Sequence, residues 1–424
     1  IDSQFQCLDS NVAERYVRDF NIDVRSFGGL ELCNSKVETK KLFNDIEILE
    51  KGIFSNQGEN KFIRGFVDQN AYYSWLKNET RGIERGNDVP YAVAYNSGGY
   101  FTMQDGWAKS STLGRVGTFV HEARHTAGYR HIICNQGPYK NTRVYGCDSN
   151  YSYGGSHAVE MEYYARVSVQ GVNFHPVYKK MARLMAIARS NVFFNAPVIS
   201  QREALLLWDK NKKLSYLHDQ NQWFERETPA VEGRLKRSSF GAVLFDGVKA
   251  FAIELYQNSG FTDLVEDTYS YFKLILERGE VLKDLEEFDW NGKRYVLKVT
   301  QDNKIALYDF ANGTWGRSFQ LPFEFDRSSL FEPQTMQRAY YLIAKNQEVY
   351  AYDFQNQRLV KMPDAWNNEN QDLVLYQGQS LMRDSKGVIY KKNGSAFEPW
   401  ITNNQEFGGM TLVPIYDGFE VSKQ

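Results

Sequence analysis

The sequence has almost no surplus of charge: 50 Lys and Arg face 52 Asp and Glu, for a net charge of −2. No global basic field therefore draws the chain to nucleic acid or anionic lipid. No apolar run approaches the ~20 residues that a membrane-spanning helix needs. Nor does the chain lack what a core requires: hydrophobic residues make up 42% and charged residues 24%, which excludes a disordered polymer. Proline is scarce, at 10 residues, whereas Tyr and Phe number 27 and 28. That imbalance points to many strands, large packed faces, or both. At ~150 residues per domain, 424 residues suggest two or three domains, or one domain and a repeat array.

Position 1 is Ile, not Met, so the expectation is a trimmed chain whose signal peptide has been removed. Cysteine is limited to Cys7, Cys33, Cys134 and Cys147. Four cysteines allow three pairings, and spacing does not choose among them. Pairing by proximity, Cys7 with Cys33 and Cys134 with Cys147, would close two short loops; four unrelated buried thiols are the alternative. The expectation is disulfides in a secreted or periplasmic protein.

The texture changes near residue 200. Before it, helical patterns dominate, over residues 11–20 behind Ser10, up to residue 51 behind the capping-box spacing of Ser35 and Glu38, and over 68–78, 111–127, 156–169 and 176–193. Residues 90–103 differ: two short strands flank the turn at Gly98 and Gly99. A linker is expected at Asn195-Ala196-Pro197. Beyond it, short apolar and aromatic runs alternate with Asn, Asp, Gly and Lys. Residues 303–310 align with 347–354 at an offset of about 44 residues, with weaker echoes at 205–218, 243–253 and 381–390. Such a period, built of short strands, is the pattern of a β-propeller blade. The length allows about five blades, with residues 410–421 supplying the closing strand of a blade begun near Ala204. No WD or Kelch signature is present, and a β-sandwich is the rival. The expected fold class is α+β: a helix-rich domain over residues 1–198 and an all-β, about five-bladed propeller over 199–424.

One stretch carries chemistry: His121-Glu122-Ala123-Arg124-His125-Thr126-Ala127-Gly128-Tyr129-Arg130-His131. At ~100° per residue, His121 and His125 lie one turn apart on one helical face, so both imidazoles can reach one Zn²⁺. Glu122 neighbours that face and can take a proton from a metal-activated water. Gly128 permits the left-handed conformation that ends the helix. His131 can then become a third ligand, leaving a fourth position for water.

This eleven-residue string resembles the signature of the metzincin clan of zinc metallopeptidases. The resemblance implies a zincin-like domain with Zn²⁺ as cofactor, His121, His125 and His131 as ligands, and Glu122 as general base. It also implies a peptide or protein substrate. Metzincins carry a Met-turn beneath the zinc, and Met161 with Tyr163 has the M-x-Y form that some members show; Tyr163 would then stabilise the oxyanion or act as a switchable ligand. The same residues also read as one continuous helix capped by Ser156, with Met161 in the core. Gluzincins take their third ligand from a Glu on a later helix, which makes Glu162 the alternative to His131, with Glu160 a further candidate. Residues 100–103 are either a substrate-binding edge strand or an ordinary core strand. His157, His175 and His218 read as structural or surface residues. Tyrosines near the motif, among them Tyr129, Tyr145, Tyr151 and Tyr153, would line a cleft.

The function expected is an exported zinc metallopeptidase whose propeller binds substrate, a protein partner or a surface. The alternatives are a non-catalytic binding or scaffold protein with a relic zincin domain, and a zinc amidase acting on cell-wall amides.

Overall fold

The computed structural model describes residues 6–89, 92–137, 139–196, 198–209, 211–212, 214–228, 233–238, 241–245, 250–253, 261–263, 281–290, 293–309, 314–331, 339–353, 356–362, 370–401 and 405–416. Pro90, Tyr91, Pro197, Phe310, Phe354 and residues 417–421, which figure in the expected strands, linker and repeats, lie outside this set. The described elements fall into two compact units, one up to Ser200 and one from Gln201 onward.

Among the described residues the first unit contains seven helices: α1 (Ser10–Phe20), α2 (Glu38–Lys51), α3 (Tyr72–Glu79), α4 (Asp105–Lys109), α5 (Thr112–Thr126), α6 (Ser156–Val169) and α7 (Pro176–Val192). Two of them, α1 and α5, start where an N-cap side chain satisfies orphan N–H groups. Asp9 Oδ1 accepts from Asn11 N and Val12 N ahead of α1, so the cap lies one residue before Ser10. Ser111 Oγ accepts from Gly114 N at 2.9 Å and starts α5. The capping box expected at Ser35 does not form; α2 starts at Glu38, whose carboxylate pairs with Arg85 at 2.8 Å instead.

Helix α6 is central. Every residue from Ser156 to Ser168 is buried, so it has no solvent face and no amphipathic stripe. It packs against α5 and α7. Gly117 permits the α5 contact: a Cβ there would stand 1.8 Å from Tyr164 Oη. On α5's other side, Arg115 Nε and Nη2 meet Asp45 of α2 at 2.9 and 3.0 Å, both side chains buried.

A three-stranded sheet covers this helical layer. It comprises β1 (Gly82–Arg85), β2 (Ala94–Ser97) and β3 (Tyr100–Met103), in the order β1-β3-β2. Residues 100–103 are therefore the central strand and not the edge. They pair in parallel with β1 and antiparallel with β2, and Phe101 and Met103 are fully buried. The edge next to β3 on the turn side is β2. A short hairpin, β4 (Ile132–Ile133) with β5 (Tyr145–Cys147), follows the motif. Both proximity disulfides are formed, Cys7–Cys33 and Cys134–Cys147.

Among the described residues the second unit is a propeller of five antiparallel sheets, four of four strands and one, in the second blade, of five. The first blade begins with the inner strand Arg234–Ser238, the second with Leu282–Trp290, the third with Phe325–Phe331 and the fourth with Asn370–Tyr376. The fifth is closed across the chain. Gly409–Tyr416 pairs antiparallel with Gln201–Asp209, Leu412 opposite Leu205, and serves as its inner strand. The repeat seen in the sequence is the third strand of consecutive blades, Lys304–Asp309 and Val349–Asp353. Each is preceded by a residue at positive φ, Asn303 at 58° and Gln347 at 69°. The second, third and fourth inner strands each carry a register shift near their start, a bulge that adds twist where strands crowd together.

Leu297, Val299, Ile305, Phe325, Tyr340, Leu342 and Tyr352 fill the space between the second and third blades. Three inner strands are joined by a buried ion cluster. Lys236 Nζ lies 2.7 Å from Asp284, 2.9 Å from Glu286 and 3.0 Å from Ser328 Oγ.

Two outcomes follow. Truncation after Gly408 is expected to abolish the cooperative unfolding transition of the propeller in a denaturant melt, because the fifth blade loses its inner strand. Lys236→Ala, which leaves Glu286 buried without its cation and Asp284 with only Arg234 at 3.8 Å, is expected to cost about 3–5 kcal/mol in the same measurement; an unchanged midpoint would show that the cluster is solvated.

Candidate metal centre

Helix α5 carries His121, Glu122 and His125. It ends at Thr126, and Gly128, at φ 91°, turns the chain back. A Cβ at Gly128 would meet open space, so the requirement for glycine there is backbone conformation and not crowding. The reversal returns His131 to the helix face just before β4.

The three imidazoles converge through Nε2. His121 Nε2 lies 3.0 Å from His131 Nε2 and 3.2 Å from His125 Nε2. The His125 and His131 rings stand 4.6 Å apart, centroid to centroid. Every Nδ1 faces an oxygen. His121 Nδ1 is 3.2 Å from Glu160 Oε2, His125 Nδ1 is 2.5 Å from the Tyr129 carbonyl, and His131 Nδ1 is 3.3 Å from Asp148 Oδ1. Nδ1 is the donor in each pair, which leaves the lone pair of each neutral ring on Nε2. Lone pairs facing each other at such distances repel unless a cation lies between them. Tetrahedral zinc with bonds of 2.0–2.1 Å sets its nitrogen donors roughly 3.3 Å apart. The residues present therefore fit a zinc ion.

The oxygens are themselves held. Glu160 Oε1 accepts from Arg189 Nη2 at 2.7 Å and from Tyr164 Oη at 3.0 Å. Burial opposes its charge, but Arg189, His121 and His157 hold its carboxyl well below the ordinary range. Asp148 Oδ2 accepts from His157 N at 2.9 Å and Ala158 N at 3.2 Å. The N-cap position of α6 is Gly155, which has no side chain, so Asp148 caps the helix from across the fold, a role expected for Ser156; Ser156 Oγ stands 3.0 Å from His125 Nδ1 instead. Cys147, bonded to Cys134, immediately precedes Asp148 and fixes it.

Burial governs the protonation of the site. It pushes His125 down to about 3, with His121 and His131 adding to the effect, and lowers His121 as well. It pushes Glu122 up to about 8, with the charge of Glu160 as the second cause. Among the described residues Glu122 Oε2 has no hydrogen-bond partner. The main chain of Glu122 is fixed by the edge strand: Asn96 Nδ2 of β2 donates to its carbonyl at 2.5 Å and to Thr126 Oγ1 at 2.8 Å.

Two residues named from the sequence do not join the histidines. Glu162 Oε2 accepts from Arg64 N, Gly65 N and Phe66 N at 2.6, 2.8 and 3.3 Å, and Oε1 accepts from Arg166 Nη2 at 3.1 Å. A carboxylate so engaged pins a loop and is not free to ligate. Tyr163 is fully buried among aromatics, 5.0 Å from the Tyr72 ring and 6.3 Å from that of Phe54, its hydroxyl without a partner. Met161 is core in an unbroken α6 and not part of a turn. Of the tyrosines, Tyr145 and Tyr153 are exposed, Tyr129 receives Arg124 on its ring face at 3.8 Å, and Tyr151 is buried against Phe62 and Phe66. His218 lies in the propeller, its Nδ1 2.9 Å from Tyr376 Oη.

Three residues belong to the centre that the sequence did not single out in these roles. Asp148 and Glu160 anchor rings, and His157 stands 4.5 and 4.6 Å from the rings of His121 and His131. The signal for the carboxylates was the rule that ligand histidines give their second nitrogen to an oxygen; the positions follow only from the fold.

No protein-family model matches the chain, and no curated protein matches it. Among solved structures, the crystal structure of BBS1N in complex with ARL6DN, soaked with mercury, aligns over 48% of this chain and 64% of that chain, with 11% identity and a TM-score of 0.26. A chain of the mitotic checkpoint complex aligns over 41% and 52%, with 10% identity and a TM-score of 0.24. The chain spans less than two thirds of the length of either, and no argument is drawn from these likenesses.

Glu160→Gln and Asp148→Asn are each expected to weaken zinc binding by about 10–100-fold in chelator competition; affinities equal to that of the wild type would show that the rings need no anchoring. The buried neutral histidines also predict a pH dependence for the metal-free protein. Above the ordinary value of 6.5 they are neutral both folded and unfolded. Below it, only the unfolded chain takes up their protons, because burial holds His125 and His157 near 3. The melting temperature of the metal-free form is therefore expected to fall as pH drops from 6.5 toward 3.

Proposed function

We propose that the protein is a zinc-dependent peptidase whose helix-rich unit carries the catalytic centre. The observation that supports this best is the convergence of three Nε2 atoms, each on a ring whose Nδ1 is committed to a fixed oxygen. Zinc bound by His121, His125 and His131 supplies Lewis acidity toward the scissile carbonyl and lowers the pKa of water toward ~7. Glu122 is the general base. It sits beside His121 in the chain, and its Oε2 has no competing partner among the described residues, so it can accept a proton from the attacking water and return it to the leaving nitrogen. The edge of β2, tied to α5 through Asn96, offers a peptide main chain a strand to pair with. Tyr163, enclosed in the aromatic core, is given no part.

The setting is an oxidising compartment outside the cytosol, a reading supported by the two disulfides. The propeller serves to bind a protein partner, the substrate or a surface.

Wild type and Glu122→Gln are both expected to hold about one zinc per chain, with peptidase activity reduced by about 10²–10⁴-fold in the variant. A wild type that binds no zinc, or a variant as active as the wild type, would overturn the proposal. His131→Ala is expected to lose zinc. Glu162→Ala is expected to keep zinc while lowering the melting temperature, since three N–H groups lose their acceptor.

A further inference from the structure

His157 is left over from this assignment, yet it lies at the centre. It is buried, on the first turn of α6. Its Nε2 is 3.0 Å from the Gly146 carbonyl, a group that can only accept, so Nε2 carries the proton. The neutral ring then bears its lone pair on Nδ1. Among the described residues that atom has no hydrogen-bond partner. The nearest charged group, Glu160 Oε2, is 3.7 Å away, too far for a hydrogen bond, and is itself an acceptor. A buried acceptor facing another acceptor is costly unless a cation or donor meets it. One ring nitrogen from each of His121, His131 and His157 lies within 4.8 Å of the others. The ring is also held in orientation, stacked with Phe193 at 4.3 Å and 11° and with His131 at 4.6 Å and 20°.

We propose that His157 is a fourth metal ligand of this centre, offering Nδ1 to the ion that His121, His125 and His131 hold. This rests on the zinc-centre reading above and adds to it. A centre with four imidazoles is closed. His157 must therefore yield its place for water or substrate to enter, and the three anchored histidines keep the ion meanwhile.

The test uses the full chain. With six histidines, selective ¹⁵N-histidine labelling resolves each ring. Titration with zinc is expected to shift the Nδ1 resonance of His157 together with the Nε2 resonances of His121, His125 and His131. His157→Phe keeps the stack on Phe193 and removes the donor. It is expected to bind zinc about tenfold more weakly and to change the visible absorption of the cobalt-loaded protein. If zinc moves the other three rings and leaves His157 unmoved, and His157→Phe binds as the wild type does, the inference is overturned while the zinc centre stands. If zinc moves none of the rings, the zinc centre falls and the inference with it.

Discussion

One carboxylate, Asp148, ties the histidine cluster to the helix packed beside it. One of its oxygens orients His131, and the other caps α6 through His157 N and Ala158 N. The cap decides where α6 starts, and hence which residues face which neighbour. From that start, His157 and Glu160 turn toward the motif helix, Glu162 toward the loop at residues 64–66, and Tyr164 toward Gly117. A shift of one residue in the start would rotate all of them by ~100°. Placing a negative group at a helix N-terminus is favourable in itself, so the interaction that stabilises the helix also aligns the histidines. The Cys134–Cys147 bond stands directly before Asp148, which ties the covalent framework to the same point.

The histidine cluster was legible because its geometry is local. His121, Glu122 and His125 share one helix, and Gly128 needs only its own backbone angle. The residues that complete the centre were not legible, because they are joined across space. Nothing in the chain near Asp148 or Glu160 says which imidazole each will meet. Glu162 was attractive as a ligand on spacing alone; its carboxylate is taken by three N–H groups of a loop nearly a hundred residues earlier. Tyr163 followed from an M-x-Y pattern whose function requires a turn, and the helix there is unbroken.

The propeller was legible for the opposite reason: it repeats. Lys304–Asp309 and Val349–Asp353 match because they occupy one place in consecutive blades, down to the positive φ of Asn303 and Gln347. The strand β1 escaped notice, since four residues without alternation make no pattern, and its omission made β3 look like an edge. The ion cluster around Lys236 was equally hidden, because its members come from three inner strands that only the closed ring brings together.

The pairing of Leu412 with Leu205 has a consequence in time. A strand synthesised early in the propeller waits for a partner about two hundred residues downstream, so the ring cannot be finished while the chain is still being made. Contacts of such separation form slowly. Until they form, the edge of Gln201–Asp209 stays open to pairing with another chain. Once the ring is shut, no blade can peel away without breaking its neighbours' packing. Closure therefore converts a slow and exposed assembly into a slowly unfolding product.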